Sequence, residues 1–421
     1  MSSPVRHRET CRLCDSTQVE LVVKLEPIPL SENYTDDAES GKRAARYPVD
    51  LYMCTTCSHV QQLDVVDPKI LWEGYTYFSG GAKGIPEHFR EVTAKIIDTY
   101  RPAAGSLVID VGSNDGSLLR GFKQAGYSVL GIDPAVEIAQ RATASGIETI
   151  PELMSLTLAQ KIRASRGAAQ VVCMFNAFAH ADNLGEIADG IRNLLAPDGV
   201  FVFEVQYLLD IIDRMLIASI FHEHISHHSV KPLTEFLSRH GLELIDIERV
   251  EIQLGSIVGT VQLKGGQRPV GASVKALLAL ETQRQLNNIH TLRKFGADVD
   301  RLRARTAETI QSLKRRKVSI AGYGAARSGP TLISQLGITD AIEFIVDDHP
   351  QKIGKYSSGD GIPILPTAEL LKRMPAYTVI LAWVHAEKII DNNREYLEKG
   401  GFFVVLCPDL RIVGKQGDVA I

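Results

Sequence analysis

A chain of 421 residues, 45% hydrophobic and 23% charged, has the composition of an ordinary soluble globular protein with room for two or three domains. Its net charge of −4 supplies no global field for binding nucleic acid or an anionic membrane. No apolar run reaches the roughly 18 residues that a membrane-spanning helix needs, and the opening MSSPVRHRETCRLC lacks the apolar core of a signal peptide, so a cytoplasmic protein is expected.

Residues 1–70 are polar and irregular apart from short runs such as VELVVKL and VDLYMC. Such a segment buries little core and needs a staple. Two CxxC pairs, Cys11 with Cys14 and Cys54 with Cys57, supply one: four thiolates close a tetrahedral site of the kind structural Zn²⁺ prefers. The stretch between the pairs exceeds zinc-ribbon spacing and must loop out. A closed four-sulfur site has no open position for substrate, so its role is structural. Disulfides are disfavoured in a reducing compartment. A nucleic-acid-binding zinc module would want a basic recognition helix, and this segment carries the acidic YTDDAES. The remaining cysteines, Cys173 and Cys407, sit in apolar strand-like runs and read as buried bystanders.

Residues 71–268 alternate strand-like runs (SLVIDVG, SVLGIDP, AAQVVCMFNAF, GVFVFEVQ) with helix-length stretches, the pattern of a largely parallel, doubly wound α/β sheet. VIDVGSNDGSLL fits a strand, a glycine turn and a helix start, with Asp110, Gly112 and Gly116 in D-x-G-x-x-x-G spacing and Asn114 between. The glycines admit a ligand close to the backbone at the sheet's switch point. About twenty residues on, Asp133 ends the next strand, placed to accept the hydroxyls of a ribose. A dinucleotide site would offer G-x-G-x-x-G to a pyrophosphate. Carboxylate and amide side chains suit a cationic ligand without phosphate, and S-adenosylmethionine (SAM) is one. MFNAFAH, with Asn176 at a strand end, and LLAPDGVFVFE strengthen this assignment.

In the segment 269–316, the stretch from ASVKALL onward is rich in helix formers and lacks proline, predicting one long linker helix or two broken near Gly296. Residues 317–421 form a second, smaller α/β domain opened by KVSIAGYGAARSG. Gly322, Gly324 and Gly329, with Asp347 and Asp348 after the next strand, imitate a dinucleotide fingerprint, but the third glycine is displaced. Packing or contact with a nucleotide part of the substrate is expected there rather than NAD.

Four of the twelve histidines, His222, His224, His227 and His228, fall in FHEHISHHSVKPL. Metal binding, proton transfer and chance are the three explanations for that density.

The three segments in this order resemble the SAM-dependent sugar C-methyltransferases of antibiotic deoxysugar pathways, on the strength of CxxC…CxxC, DVGSNDG, the E-H dipeptide and GYGA…RS. The resemblance covers essentially the whole chain. It implies a small zinc-binding N-terminal domain, a Rossmann-like class I methyltransferase domain and a C-terminal Rossmann-like α/β domain. It also implies a nucleotide-sugar substrate, commonly a dTDP-4-keto-6-deoxyhexose methylated at C3 or C5, beside the ketone. By the same resemblance His224 is the base that takes the acidic proton and Glu223 its orienting or proton-accepting neighbour. His180 is a further active-site histidine and Tyr75 a substrate-facing tyrosine, while His227 and His228 remain surface residues. An unperturbed imidazole at His224 would make the rate rise near pH 6–7. Phe221 stands where a tyrosine is expected, so either His222 or a nearby tyrosine supplies the missing donor or the substrate carbon differs. A methyltransferase acting on oxygen or nitrogen and an NAD-dependent sugar oxidoreductase are the competing readings. No feature of the sequence sets an oligomeric state, and a monomer suffices.

Overall fold

The computed structural model describes residues 4–72, 78–81 and 84–419. The chain sorts into two compact units. One comprises Met1–Glu20, Tyr52–Leu209 and Ile225–Ile289; the other comprises Leu21–Leu51, Asp210–His224 and His290–Ile421. The first two stretches of the second unit are the insertion between the cysteine pairs and the turn that carries Glu223 and His224. The segments read along the sequence follow chain order, whereas these two pieces are claimed by contacts far along the chain.

In the first unit, strands β1 (Leu107–Val111), β2 (Ser128–Ile132), β3 (Thr149–Ile150), β4 (Ala169–Phe175), β5 (Leu195–Gln206), β6 (Leu242–Val250) and β7 (Ser256–Leu263) form one sheet in the order 3-2-1-4-5-7-6. β1 to β5 are parallel, and β7 runs antiparallel to both β5 and β6. Strand order reverses at β1 and β4, so the crevice at their carboxyl ends is where such a sheet receives a ligand. β1 is buried at all five positions, as a run that is apolar but for Asp110 predicts for a sheet covered on both faces. The helix Ile85–Tyr100 lays Ile85, Phe89, Val92 and Ile96 on one face. Their spacing follows the helical period, and each buried side chain is worth about 1.5–3 kcal/mol.

Behind this sheet a buried carboxylate does the work of a helix cap. Glu281, fully buried, accepts the N–H groups of Val230 (2.6 Å) and Lys231 (3.1 Å) and the hydroxyl of Tyr207 (3.0 Å). It thereby satisfies the start of the helix Val230–Arg239, whose own N-cap Ser229 makes no side-chain bond. Glu281→Ala strands two backbone donors and a hydroxyl, and is expected to cost about 2–4 kcal/mol in urea unfolding. Glu281→Gln, which keeps an acceptor, should cost less. An unchanged midpoint in the alanine variant would show that water replaces the carboxylate.

The second unit holds β8 (Ile320–Tyr323), β9 (Ile345–Asp347), β10 (Ile364–Pro366), β11 (Tyr377–Ile380), β12 (Phe402–Val405), β13 (Arg411–Gly414) and β14 (Gly417–Val419) in the order 10-9-8-11-12-13-14. β8 to β12 are parallel, and the last two strands form an antiparallel edge. The helical linker is two helices, Ala272–Gln283 and Ile289–Arg315. They break at residues 284–288, where Gln285 is left-handed (φ 51°), not at Gly296. Gly296 lies inside the second helix because a Cβ there would come 3.3 Å from the Val22 carbonyl: it serves a close approach, not a break. Among the described residues no helix is long and apolar enough to cross a membrane.

Candidate active site and metal centre

The cysteine pairs fold as matched knuckles. In each, the residue after CxxC is left-handed (Asp15, φ 57°; Ser58, φ 68°). The N–H of Asp15 reaches the Cys11 carbonyl at 2.9 Å, and that of Ser58 the Cys54 carbonyl at 2.8 Å. Sulfurs of Cys11 and Cys57 lie 3.6 Å apart, those of Cys14 and Cys54 3.5 Å, and all four fall within 4.8 Å of one another. Zinc–sulfur bonds of 2.3 Å give tetrahedral sulfur separations of about 3.8 Å, so the set fits Zn²⁺. Arg12, between the first two cysteines, is buried and donates to the Gln61 side chain (3.0 Å) and to the carbonyls of Gln62 and Ile225 (3.3 Å for the latter). The knuckle is thus tied to the strand Ser226–His227.

At the carboxyl end of β1, Gly112 (φ 77°) and Gly116 (φ 75°) are left-handed, and a Cβ on Gly112 would meet Ala177 at 2.5 Å. Asp110 is 3% exposed. Burial and the neighbouring Asp133 raise its carboxyl to about 8, so it is largely protonated at neutral pH, and a cationic ligand would favour its ionised form. Asp133 already accepts the N–H groups of Asn114 (2.8 Å) and Ala135 (2.9 Å), one on each oxygen. A second lone pair remains on each for a diol. Asn114 (φ 49°) turns its own side-chain oxygen to the Ser79 N–H at 2.9 Å, and Gly80 N–H meets Asp115 at 3.1 Å. The segment before the helix Ile85–Tyr100 therefore lies on the loop. Asn176, left-handed at the end of β4, gives its NH₂ to the Glu204 carboxylate at 2.8 Å. The other oxygen of Glu204 pairs with His88. Sequence reasoning passed over this Glu204–His88 clamp. One acid inside the otherwise apolar VFVFEVQ run was the available signal, since a buried charge demands a partner.

The histidine run is not one site. His180 ends a 3₁₀ turn after β4 in the first unit. Glu223 and His224 belong to the second unit. Tyr75 lies outside the described residues. His227 and His228, expected at the surface, are buried. Ser226–His227 pairs with Val60–Gln61 as a short strand, and His228 lies between Phe178 (centroids 5.4 Å apart) and His59 (5.5 Å). Strand pairing claims His227 and aromatic packing claims His228, neither of them visible in a local pattern. His222 is buried too, with Nε2–H donating to the Tyr47 carbonyl at 3.1 Å. That bond engages the ring's N–H donor. Phe221 packs on His224 with centroids 4.1 Å apart.

His224 Nδ1–H donates to the Ser219 carbonyl at 2.8 Å, which assigns the basic lone pair to Nε2. Although half-buried by its own surface, the ring is desolvated by its packing. That burial pushes it down to about 4 against the Ser219 bond, below the 6–7 of an unperturbed imidazole. Glu223 is 6% exposed and bonded to Arg327 of the glycine loop at 2.5 Å. In the same unit Asp347 accepts the N–H groups of Ala325 (2.7 Å) and His349 (2.7 Å). Each oxygen of Asp347 thus carries one backbone N–H, as each oxygen of Asp133 does.

Three family models match along the chain: a zinc binding domain over residues 11–72, a methyltransferase domain over 86–247 and a C-methyltransferase C-terminal domain over 251–408. Over 417 residues the chain is 32% identical to the C-methyltransferase NovU of Streptomyces niveus, covering 99% of each. An S-adenosylmethionine-dependent methyltransferase structure from Clostridium acetobutylicum aligns with 47% of this chain and 96% of its own at 11% identity, TM-score 0.35. The magnesium protoporphyrin IX methyltransferase of Synechocystis with bound SAM aligns with 43% and 79% at 14% identity, TM-score 0.33. At those scores the fold rests on the chain's own strand order.

Proposed function

We propose, from the premise that this chain belongs to the C-methyltransferase family, that it methylates the carbon beside the ketone of a nucleoside-diphosphate-linked 4-keto-6-deoxyhexose, as part of antibiotic deoxysugar biosynthesis in the cytoplasm. The chain is a SAM-dependent methyltransferase with a structural zinc; its acceptor is the subject of this proposal. SAM supplies an electrophilic methyl on a positively charged sulfur. Asp110, Gly112, Asn114, Gly116, Asp133 and Asn176 are the residues that would hold it. Asp133 is assigned to the ribose and the Asp110 carboxyl to the cationic part of the ligand. A carbon nucleophile exists only after its proton is removed, and the ketone makes that proton acidic. His224 is assigned the proton at Nε2, with Glu223 orienting it. His180 and Tyr75 are assigned to the sugar by the family resemblance.

The observation that supports carbon as the acceptor most directly is His224: an imidazole kept neutral, with its tautomer set by Ser219, next to an acid. The test is product NMR after incubation with SAM and dTDP-4-keto-6-deoxyglucose. A new methyl signal on carbon supports the proposal; an O-methyl product from the 4-hydroxy sugar supports the competing reading. For the cofactor, Asp133→Ala is expected to weaken SAM binding by roughly 1.5–3 kcal/mol, the scale of hydrogen bonds to a charged group. Calorimetry with unchanged affinity would move the ribose elsewhere.

A further inference from the structure

The loop after β8 reads as a worn dinucleotide fingerprint, yet it is braced on every side for another purpose. Tyr34 donates its hydroxyl to the Ala325 carbonyl at 2.6 Å. Lys352 reaches the same carbonyl at 2.8 Å, sits 5.2 Å from the Tyr34 ring centroid and pairs with Glu32 at 3.2 Å. Asp347 holds the Ala325 N–H from β9. The Thr331 hydroxyl, on the helix after the loop, reaches the Ile220 carbonyl at 3.4 Å, just before the turn that carries Glu223. What this bracing fixes in place is Arg327, whose guanidinium meets the buried Glu223 carboxylate at 2.5 Å.

We propose that Arg327 is a positioning residue for proton transfer: it clamps Glu223 beside His224, and presenting this arginine, rather than binding a dinucleotide, is the role of the glycine loop. The proposal rests on the reading that Glu223 and His224 carry the proton step. Its physical basis is that a carboxylate buried to this degree needs a fixed cation to stay ionised, and a guanidinium on a rigid loop is the residue suited to it. The charged groups acting on the carboxylate are Arg327 and then Glu32 from the Leu21–Leu51 stretch, itself paired with Lys352; His222 and His224 flank Glu223 in the chain, their rings bonded to the Tyr47 and Ser219 carbonyls. Burial pushes the Glu223 carboxyl up and Arg327 opposes this, while Glu32 adds to the rise. Removing the arginine therefore leaves only raising influences. The ionised fraction, and any rate that depends on it, should move to higher pH.

The test uses full-length, zinc-loaded protein and follows solvent deuterium exchange at the α-carbon of dTDP-4-keto-6-deoxyglucose, without SAM, from pH 5.5 to 9. With Arg327→Gln the acid limb is expected to move upward by about one to three pH units. Exchange should then fall at the acid end of this range, with a deficit that closes toward pH 9. Arg327→Lys should recover part of the shift. In a Glu223→Gln background the arginine change should alter the rate by less than about twofold, since contacting partners are coupled. A loss equal at every pH, or one that simply adds to that of Glu223→Gln, overturns the proposal, because a merely structural role would give that result. If Arg327→Gln does not fold, Arg327→Lys decides: an unshifted profile overturns the proposal. A wild-type protein that neither exchanges nor methylates this sugar removes the functional reading, and this proposal with it. A wild type that does both while the Arg327 variants keep its profile removes this proposal alone.

Discussion

His224→Asn is expected to cost about 10²–10⁴-fold in kcat, the usual share of a positioned base, with SAM affinity nearly unchanged because the ring is assigned to the sugar and not to SAM. The pH dependence follows from the ring's surroundings. Burial holds the imidazole down near 4, and only the neutral ring accepts a proton. Activity governed by His224 should therefore be flat from about pH 6 upward and fall only as the pH drops through about 5 toward 4. An unperturbed histidine would instead give a limb at 6–7. Kinetics of the wild type and the variant from pH 3.5 to 8.5 check both statements. A variant that exchanges the sugar's α-hydrogen at the wild-type rate but fails to methylate would move the base to His180 or Tyr75.

Removing zinc is expected to have the other large effect. Four sulfurs at tetrahedral spacing should carry about one Zn²⁺ per chain. Structural zinc contributes about 10–16 kcal/mol of apparent binding energy in small modules, more than a short, core-poor segment can supply by itself. Cys54→Ser, or prolonged chelation, should therefore unfold the knuckles. Through Arg12, whose bonds to Gln61, Gln62 and Ile225 cross from the knuckle, the strand Ser226–His227 should loosen as well. Metal analysis together with limited proteolysis reads this directly. Soluble, active protein without zinc would contradict it.

What could be read from the sequence was local. The cysteine pairs, the glycine turn after β1 and the acid ending β2 each sit within a few residues of their partners in chemistry, and the structure brings the four sulfurs together as their spacing implies. The parallel sheet was legible because strand-like runs alternate with helix-length stretches. What escaped was long-range. Nothing near Leu21–Leu51 or Asp210–His224 in the sequence announces that they cluster with His290–Ile421. The helix breaks at Gln285, and the glycine that suggested a break at 296 instead lies against Val22, a contact from far along the chain. His227 and His228 carry no local mark of burial; Val60 and Phe178 bury them. Arg327 was visible in GYGAARSG, but its partner Glu223 lies 104 positions away, and a glycine loop invites a nucleotide reading first. A cation where a phosphate loop would want small residues was the signal to follow.

The most direct measurement of carbon methylation combines two readouts on one sample. Wild-type protein is incubated with dTDP-4-keto-6-deoxyglucose in D₂O, first alone and then with SAM carrying a ¹³C methyl group, and the sugar is followed by NMR. The account predicts deuterium at one carbon beside the ketone before SAM is added, and the labelled methyl on that same carbon afterward. Label on oxygen or nitrogen, or a labelled carbon that never exchanged its hydrogen under any condition tested, would contradict it.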